Sequence, residues 1–282
     1  MAAKKLFLLE APLNLYGTES IADSTLMEEL FLPLLSYVFV TLVLLSPFII
    51  HAHKHNKYIR STYYQITRNP YSAIRYDKGK RGEYLIYKKL RHLEITGSKF
   101  LFNLYIPKKQ NETSEIDVLM ICTKGLFVFE SKNLDGWIFG NEAHTNWTQV
   151  LPHGWEGDSL KIKFYNPIAQ NASHIRYLRL LIDKNIPIRS IIVFSDYCTL
   201  KQITIKSNDV DVIYSSNVSY LIDQIYNKTQ IDFLTQEEIN DIYNKLYSYT
   251  QVNSDLKEQH KNNIQGYLKN TEYEAINLPF KL

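Results

Sequence analysis

Between Leu30 and Ile50 the chain reads LFLPLLSYVFVTLVLLSPFII, without one charged side chain. About 20 apolar residues suffice to cross the hydrocarbon core of a bilayer. The stretch therefore allows two architectures, a transmembrane helix or a core helix wrapped by protein on every side. The flanks favour the first. Lys54, Lys57, Arg60 and Arg68 follow it, whereas Glu10, Glu19, Asp23, Glu28 and Glu29 dominate the other side. By the positive-inside rule the N-terminal segment then lies outside and the large C-terminal part is cytoplasmic. A late start and the lack of a small-residue cleavage pattern argue against a removed signal peptide. Pro33 and Pro47 fall near the ends, where a lost backbone hydrogen bond costs least. His51, His53 and His55 read as interfacial headgroup contacts rather than as metal ligands.

The remainder has the composition of a folded domain. Of 282 residues, 45% are hydrophobic and 22% charged, which excludes a disordered tail. A net charge of +3 is too close to neutral for bulk attraction to nucleic acid, so such a partner needs a local patch. Lys78, Lys80, Arg81, Lys88, Lys89 and Arg91 offer either a phosphate patch or a solvated helix face. Cys122 and Cys198 sit in apolar runs without metal or disulfide spacing, as reduced core thiols do.

The expected layout has a short segment over 1–29, the membrane span over 30–50, and a basic, aromatic linker over 51–75. A main domain follows over 76–197, then a strand and helices over 198–256 and a polar tail over 257–282. A helix is predicted over 79–94 and strands at KFLFNLYI, EIDVLMIC, LFVFESK and GWIFG; 141–161 reads as loop. Asn166 and Pro167 open a second helix as N-cap and first helical residue. IRSIIVFS is a fully apolar, central-type strand and DVDVIYSS another. Thr235 and Glu238 spell a capping box before the last helix. The order predicts an α/β fold, a mixed central β-sheet flanked by helices, preceded by one N-terminal transmembrane helix.

The hairpin EIDVLMICTKGLFVFESK raises the functional question, because Asp117, Glu130 and Lys132 sit in apolar strands. With Lys124 and Gly125 as the turn, Asp117 falls opposite Lys132 and Leu119 opposite Glu130. Alternation puts all three polar residues on one face, with Leu119, Ile121, Leu126 and Val128. Uncompensated buried charge is costly, and a cation between the two carboxylates offsets that cost. Mg²⁺ suits oxygen ligands, and the Ser131 carbonyl can add a third. Lys132 beside such an ion can hold a water or offset phosphate charge. Glu83 shares a helical face with Ile86, Leu90 and Leu93, which aims a carboxylate at the core, either to join the metal shell or to orient Lys132. A plain cross-strand salt bridge explains the same spacing.

The segments GKRGEYLIYKKL, SEIDVLMICTKGLFVFESKNLDGWIFG, the tryptophan at Trp147 and NPIAQNASHIRYL together resemble the NERD family, the nuclease-related domain, grouped with the PD-(D/E)xK nucleases. The resemblance covers roughly 76–195. It implies a restriction-endonuclease-like fold and catalysis by Glu83, Asp117, Glu130, Lys132 and Gln170. Asp117, Glu130, Ser131 and Glu83 are then the metal shell, for Mg²⁺ with Mn²⁺ as substitute. Gln170 matches the family's glutamine, although helical counting puts it with His174, Tyr177 and Leu181 beside the apolar stripe, where a solvated glutamine fits too. Trp137 stands where smaller or polar residues are common, either stacking on a base or packing on the sheet. The implied protein is a membrane-anchored, Mg²⁺-dependent nuclease acting on DNA, with RNA open, from the cytoplasmic side. The alternative is a non-catalytic nucleic-acid-binding or scaffold module that keeps the fold; oligomeric state is left open.

Overall fold

The computed structural model describes residues 31–108, 112–152, 159–182 and 185–263. The polar tail beyond 263 and the N-terminal segment through 30 lie outside the described residues. The chain divides into two compact units, 1–57 and 58–282.

Helix α1, Leu32–Ile59, is long and apolar enough to cross a membrane, and none of its apolar window is buried against protein. Its few polar side chains bond back to their own backbone. Ser36 Oγ donates to the Pro33 carbonyl (2.6 Å) and Thr41 Oγ1 to that of Tyr37 (2.7 Å). Pro47 has no N–H for the carbonyl four residues earlier. That carbonyl belongs to Val43, and Ser46 Oγ donates to it (2.8 Å). A helix in hydrocarbon needs such local satisfaction, since no water is available to supply it.

The second unit opens with two short helices, α2 (Thr62–Thr67) and α3 (Tyr71–Tyr76), within the 51–75 stretch read as linker. Tyr58, Tyr63, Ile66 and Ile74 are buried there. Tyr63 packs edge-on against Phe102 (4.9 Å between centroids) and lies beside Tyr84 and Tyr87. An aromatic layer, whose polar edges hide periodicity, thus fastens this segment to the sheet. Helix α4 (Lys78–Leu90) follows, with the Asp77 carboxylate capping the Lys80 N–H (3.1 Å).

Five strands form the main sheet: β1 (Lys99–Pro107), β2 (Thr113–Cys122), β3 (Gly125–Lys132), β7 (Ile188–Phe194) and β9 (Val210–Tyr214). The order is β1-β2-β3-β7-β9, antiparallel as far as β3 and parallel beyond it. As the apolar run IIVF predicts, β7 lies inside the sheet, between β3 and β9. A second sheet, β6-β5-β4-β8, consists of β4 (Gly136–Asn141), β5 (Asn146–Pro152), β6 (Ser159–Tyr165) and β8 (Cys198–Thr204). Two of these strands occupy the stretch read as loop. β6 (SLKIKFY) alternates apolar and polar residues as a strand does, but it is an exposed edge whose side chains nearly all face solvent.

Helix α5 (Pro167–Leu178) lies against the main sheet, and its Asn166 cap accepts from the N–H groups of Ile168 (2.9 Å) and Ala169 (3.4 Å). Helices α6 (Val218–Lys228) and α7 (Gln236–Tyr247) follow, the latter with the expected Thr235–Glu238 capping box. Residues 254–263 are helical, and His260 is buried against the β2 start.

The hairpin register differs from the predicted one. Cys122 pairs with Gly125, so Thr123 and Lys124 form the turn. Gly125 has φ 110°, and the Pro187 carbonyl stands where a side chain would be, so glycine is needed as the first strand residue. The ladder moves by two and, carried one residue past its last pair, Val118–Phe129, it sets Asp117 opposite Glu130 instead of Lys132. An even shift preserves parity, so the three polar residues keep their common face.

Candidate active site

The end of β3 concentrates the site chemistry. Lys132 Nζ lies 2.6 Å from Glu130 Oε1 and 3.0 Å from Gln170 Oε1. Lys132 and Glu130 project from the same face of β3, and Gln170 reaches Lys132 from the first turns of α5. On β2, Asp117 Oδ2 accepts the Ser131 N–H (2.8 Å). Among the described residues, no donor meets Asp117 Oδ1. The structure thus brings Glu130, Lys132 and Gln170 into direct contact and ties Asp117 to the backbone between the first two.

Electrostatics separate the two carboxylates. Burial pushes the Asp117 pKa well above the usual carboxylate range, and the neighbouring Glu130 and Glu83 add to the rise. Burial also opposes ionisation of Glu130, but Lys132 and His174 outweigh it and hold that carboxyl below its ordinary value. Burial works against the Lys132 charge too, yet Glu130 and Asp117 raise its pKa. Glu130 and Lys132 therefore form an ion pair beside a carboxyl that resists ionising without further positive charge.

Several contributors escaped the sequence reading. His174, one turn beyond Gln170, has Nε2 3.2 Å from Glu130 Oε2, with no hydrogen bond between these two buried atoms, and shares a 2.6 Å hydrogen bond between Nδ1 and Ser114 Oγ. Its i+4 spacing from Gln170 was the available signal. Glu115 is two residues before Asp117, hence on the same face; burial raises its pKa, against hydrogen bonding from Tyr105. His260 Nε2 lies 3.4 Å from its Oε2. Asn103 occupies the β1 position opposite Asp117, where the β1–β2 ladder skips a pair, and has φ 49°. Asparagine is among the few non-glycine residues that tolerate this left-handed region.

Glu83 is buried as its helical position predicts, and its Oε2 accepts from Tyr63 Oη (2.9 Å) and Asn103 Nδ2 (3.0 Å) rather than from Lys132. Burial raises its pKa from 4.5 to about 7, against those two hydrogen bonds. The folded state keeps a proton that the unfolded chain releases between these values. This contribution to stability is complete below pH 4.5 and disappears as pH rises through 7, a difference of about 3 kcal/mol. A glutamine keeps an oxygen for both donors and never ionises. Unfolding of Glu83→Gln in chelator is therefore expected to match the parent near pH 4.5 and exceed it in stability by up to about 3 kcal/mol at pH 8. An unchanged pH slope would remove Glu83 as its source.

A divalent ion fits Asp117 and Glu130 by donor chemistry: a buried and a half-buried carboxylate, an Asp117 oxygen without a donor, and a raised Asp117 pKa that marks unmet demand for positive charge. The Ser131 backbone runs beside Asp117. Among the described residues, no three of His, Cys, Asp and Glu are grouped closely enough to hold an ion by themselves. Waters and substrate oxygens therefore complete any shell, as is usual for Mg²⁺.

A family profile, the nuclease-related domain, matches residues 78–195. An uncharacterized protein of Bacillus anthracis is 31% identical over 183 residues, covering 65% of this chain and 82% of that protein. No solved structure matches. The matched span runs from the start of α4 to the residue after β7, which encloses every contact made by Lys132, and the similarity to the relative extends beyond it in length. On these grounds the chain belongs to the NERD, or nuclease-related domain, family.

Proposed function

We propose that the protein is a membrane-anchored nuclease that hydrolyses phosphodiester bonds of DNA on the cytoplasmic side, with Mg²⁺ held by Asp117 and Glu130 and supplemented by the Ser131 carbonyl. The observation that carries this reading is the half-buried Lys132, fixed between Glu130 and Gln170 beside a carboxylate that cannot easily ionise alone. When bound, the ion supplies Lewis acidity and a water of lowered pKa. The protein groups do the positioning. Lys132 places a fixed positive charge where phosphate charge accumulates, and Gln170 sets its direction. Glu130 keeps Lys132 protonated, and His174, held by Ser114, lies beside the far oxygen of Glu130 without a hydrogen bond to it. Glu83 stands behind the site as a buried, proton-holding carboxyl rather than as a direct ligand.

The basic residues in the last turns of α1 and just after it support a cytoplasmic catalytic unit, and the self-satisfied polar groups of α1 support residence in lipid. DNA is the substrate of this reading, and RNA is the competing arm of its assay. The full chain in detergent is expected to cut DNA with Mg²⁺ or Mn²⁺ and to stop in EDTA. Lys132→Gln should slow cutting by roughly a hundredfold or more, on the scale of losing one preorganised electrostatic donor. Equal rates for parent and variant would remove the assignment. The absence of a closed three-ligand cluster among the described residues favours one other reading, a nucleic-acid-binding module without turnover. That reading predicts salt-dependent, chelator-insensitive binding and no cleavage.

A further inference from the structure

The carboxyl ends of parallel strands are a common place for ligand crevices. Here β3, β7 and β9 end together, and a cleft of about 290 Å³ lies against them. Its lining includes Arg81 and Lys89 from α4, Ser131 and Asn133 from the end of β3, Ser215 after β9, and Tyr197. Ser131 stands between Glu130 and Lys132, and its side chain takes the opposite face of the strand. The cleft and the catalytic face are thus two sides of one strand end.

The charges in this cleft are unspent. Elsewhere on α4 and its cap, Lys78 pairs with Asp135 and Lys80 with Asp77 (3.6 Å). Arg81 and Lys89 have no acidic partner among the described residues. The Ser215 hydroxyl is nearly buried and makes no hydrogen bond among those residues. One acid, Asp196, also lines the cleft; its Oδ1 accepts the Ser216 N–H at 2.8 Å, and the two cations outnumber it. Tyr197 is exposed at the rim. Gly82, between these residues and Ser131, carries no side chain where a Cβ would meet Ser131 Oγ, so α4 comes close and the cleft stays open above that contact.

Two free cations, an idle hydroxyl and an exposed aromatic ring match a phosphate joined to a planar base. We infer that this cleft binds a nucleotidyl group, with the phosphate on Arg81 and Lys89 and the base against Tyr197. The group comes either from a free mononucleotide or from the nucleic-acid strand next to the scissile phosphate. Only the second source rests on the nuclease reading.

The test uses the full chain in detergent with EDTA, so that cleavage plays no part. Binding of dAMP and of a fluorescent single-stranded DNA oligonucleotide is measured for the parent, for Arg81→Ala combined with Lys89→Ala, and for Lys88→Ala. Lys88 lies on the same helix but outside the cleft. The double variant is expected to weaken binding roughly tenfold or more, as loss of charged hydrogen bonds implies, with thermal unfolding unchanged and Lys88→Ala close to the parent. Weakening of dAMP alone assigns the site to free nucleotides; weakening that includes the oligonucleotide assigns it to a strand. Tyr197→Ala should weaken the same probe. No measurable binding of either probe, or equal weakening by Lys88→Ala, overturns the inference. Cleavage by the parent in Mg²⁺ is scored separately, so a chain that binds dAMP but never cuts would refute the nuclease reading and leave the cleft standing.

Discussion

Asp117→Asn is expected to move activity and stability in opposite directions. In Mg²⁺, DNA cleavage should fall by roughly a thousandfold, about 4 kcal/mol of transition-state stabilisation, because the proposed ion loses a charged ligand. In EDTA the same variant should unfold at no lower a temperature than the parent. The Asp117 carboxyl is half-buried near Glu130 and Glu83, and desolvation together with those neighbours makes its charge oppose folding whenever no cation answers it. Asparagine keeps an oxygen for the Ser131 N–H, now 2.8 Å from Asp117 Oδ2, and brings no charge. A purely structural salt bridge predicts the reverse pattern, lost stability with activity hardly touched. Mn²⁺ affinity by titration calorimetry gives an independent reading, expected to drop together with cleavage. Full cleavage by Asp117→Asn would defeat the metal assignment outright.

The site was partly legible because strand alternation survives errors of register. The predicted turn was one residue late and the ladder two out of register, yet Asp117, Glu130 and Lys132 remained on one face, since parity alone decides that. Helical spacing likewise forecast that Glu83 would be buried. It did not forecast its neighbours. Tyr63 and Asn103 each reach Glu83 across 20 residues of chain, and no local pattern encodes such a meeting. The left-handed turn of backbone at Asn103 is equally silent in composition. Gln170 was ambiguous by stripe position and is settled in place by a single contact, its oxygen on Lys132 Nζ.

The fold was most legible where burial was complete. The apolar run of β7 marked a strand inside the sheet, and the caps at Asn166 and Thr235 marked their helices. It was least legible where strands are exposed on an edge or where buried tyrosines look polar. The second sheet illustrates the first difficulty. β6 lies exposed at its edge despite its alternation, and Trp147 is one of the buried residues, with Ile138 and Cys198, that join this sheet to Ile192 and Phe194 of the main sheet.

Trp147→Ala is accordingly expected to cost about 4 kcal/mol, within the usual range for deleting a buried aromatic. The indole is buried and stacks on Phe194 with an interplanar angle of 1° and centroids 6.0 Å apart. Its Nε1 donates to the Asn141 carbonyl (3.1 Å), and Gly140 lies so close to the ring that a side chain there would strike it. Trp147→Phe keeps an aromatic face but loses the hydrogen bond, so a smaller loss of about 1–2 kcal/mol is expected. Urea unfolding of the three proteins measures both numbers, and a loss below about 1 kcal/mol for the alanine variant would show that the sheets are joined by other contacts. The consequence reaches the chemistry through one pairing. Phe194 lies beside Lys132 in the parallel β3–β7 ladder. Removing the ring that covers Phe194 frees the end of β7, and Lys132 is held on the strand next to it. Cleavage by Trp147→Ala should therefore fall even at temperatures where the protein remains folded, with kcat affected more than KM, because the displaced group acts on the reacting phosphate rather than on substrate capture.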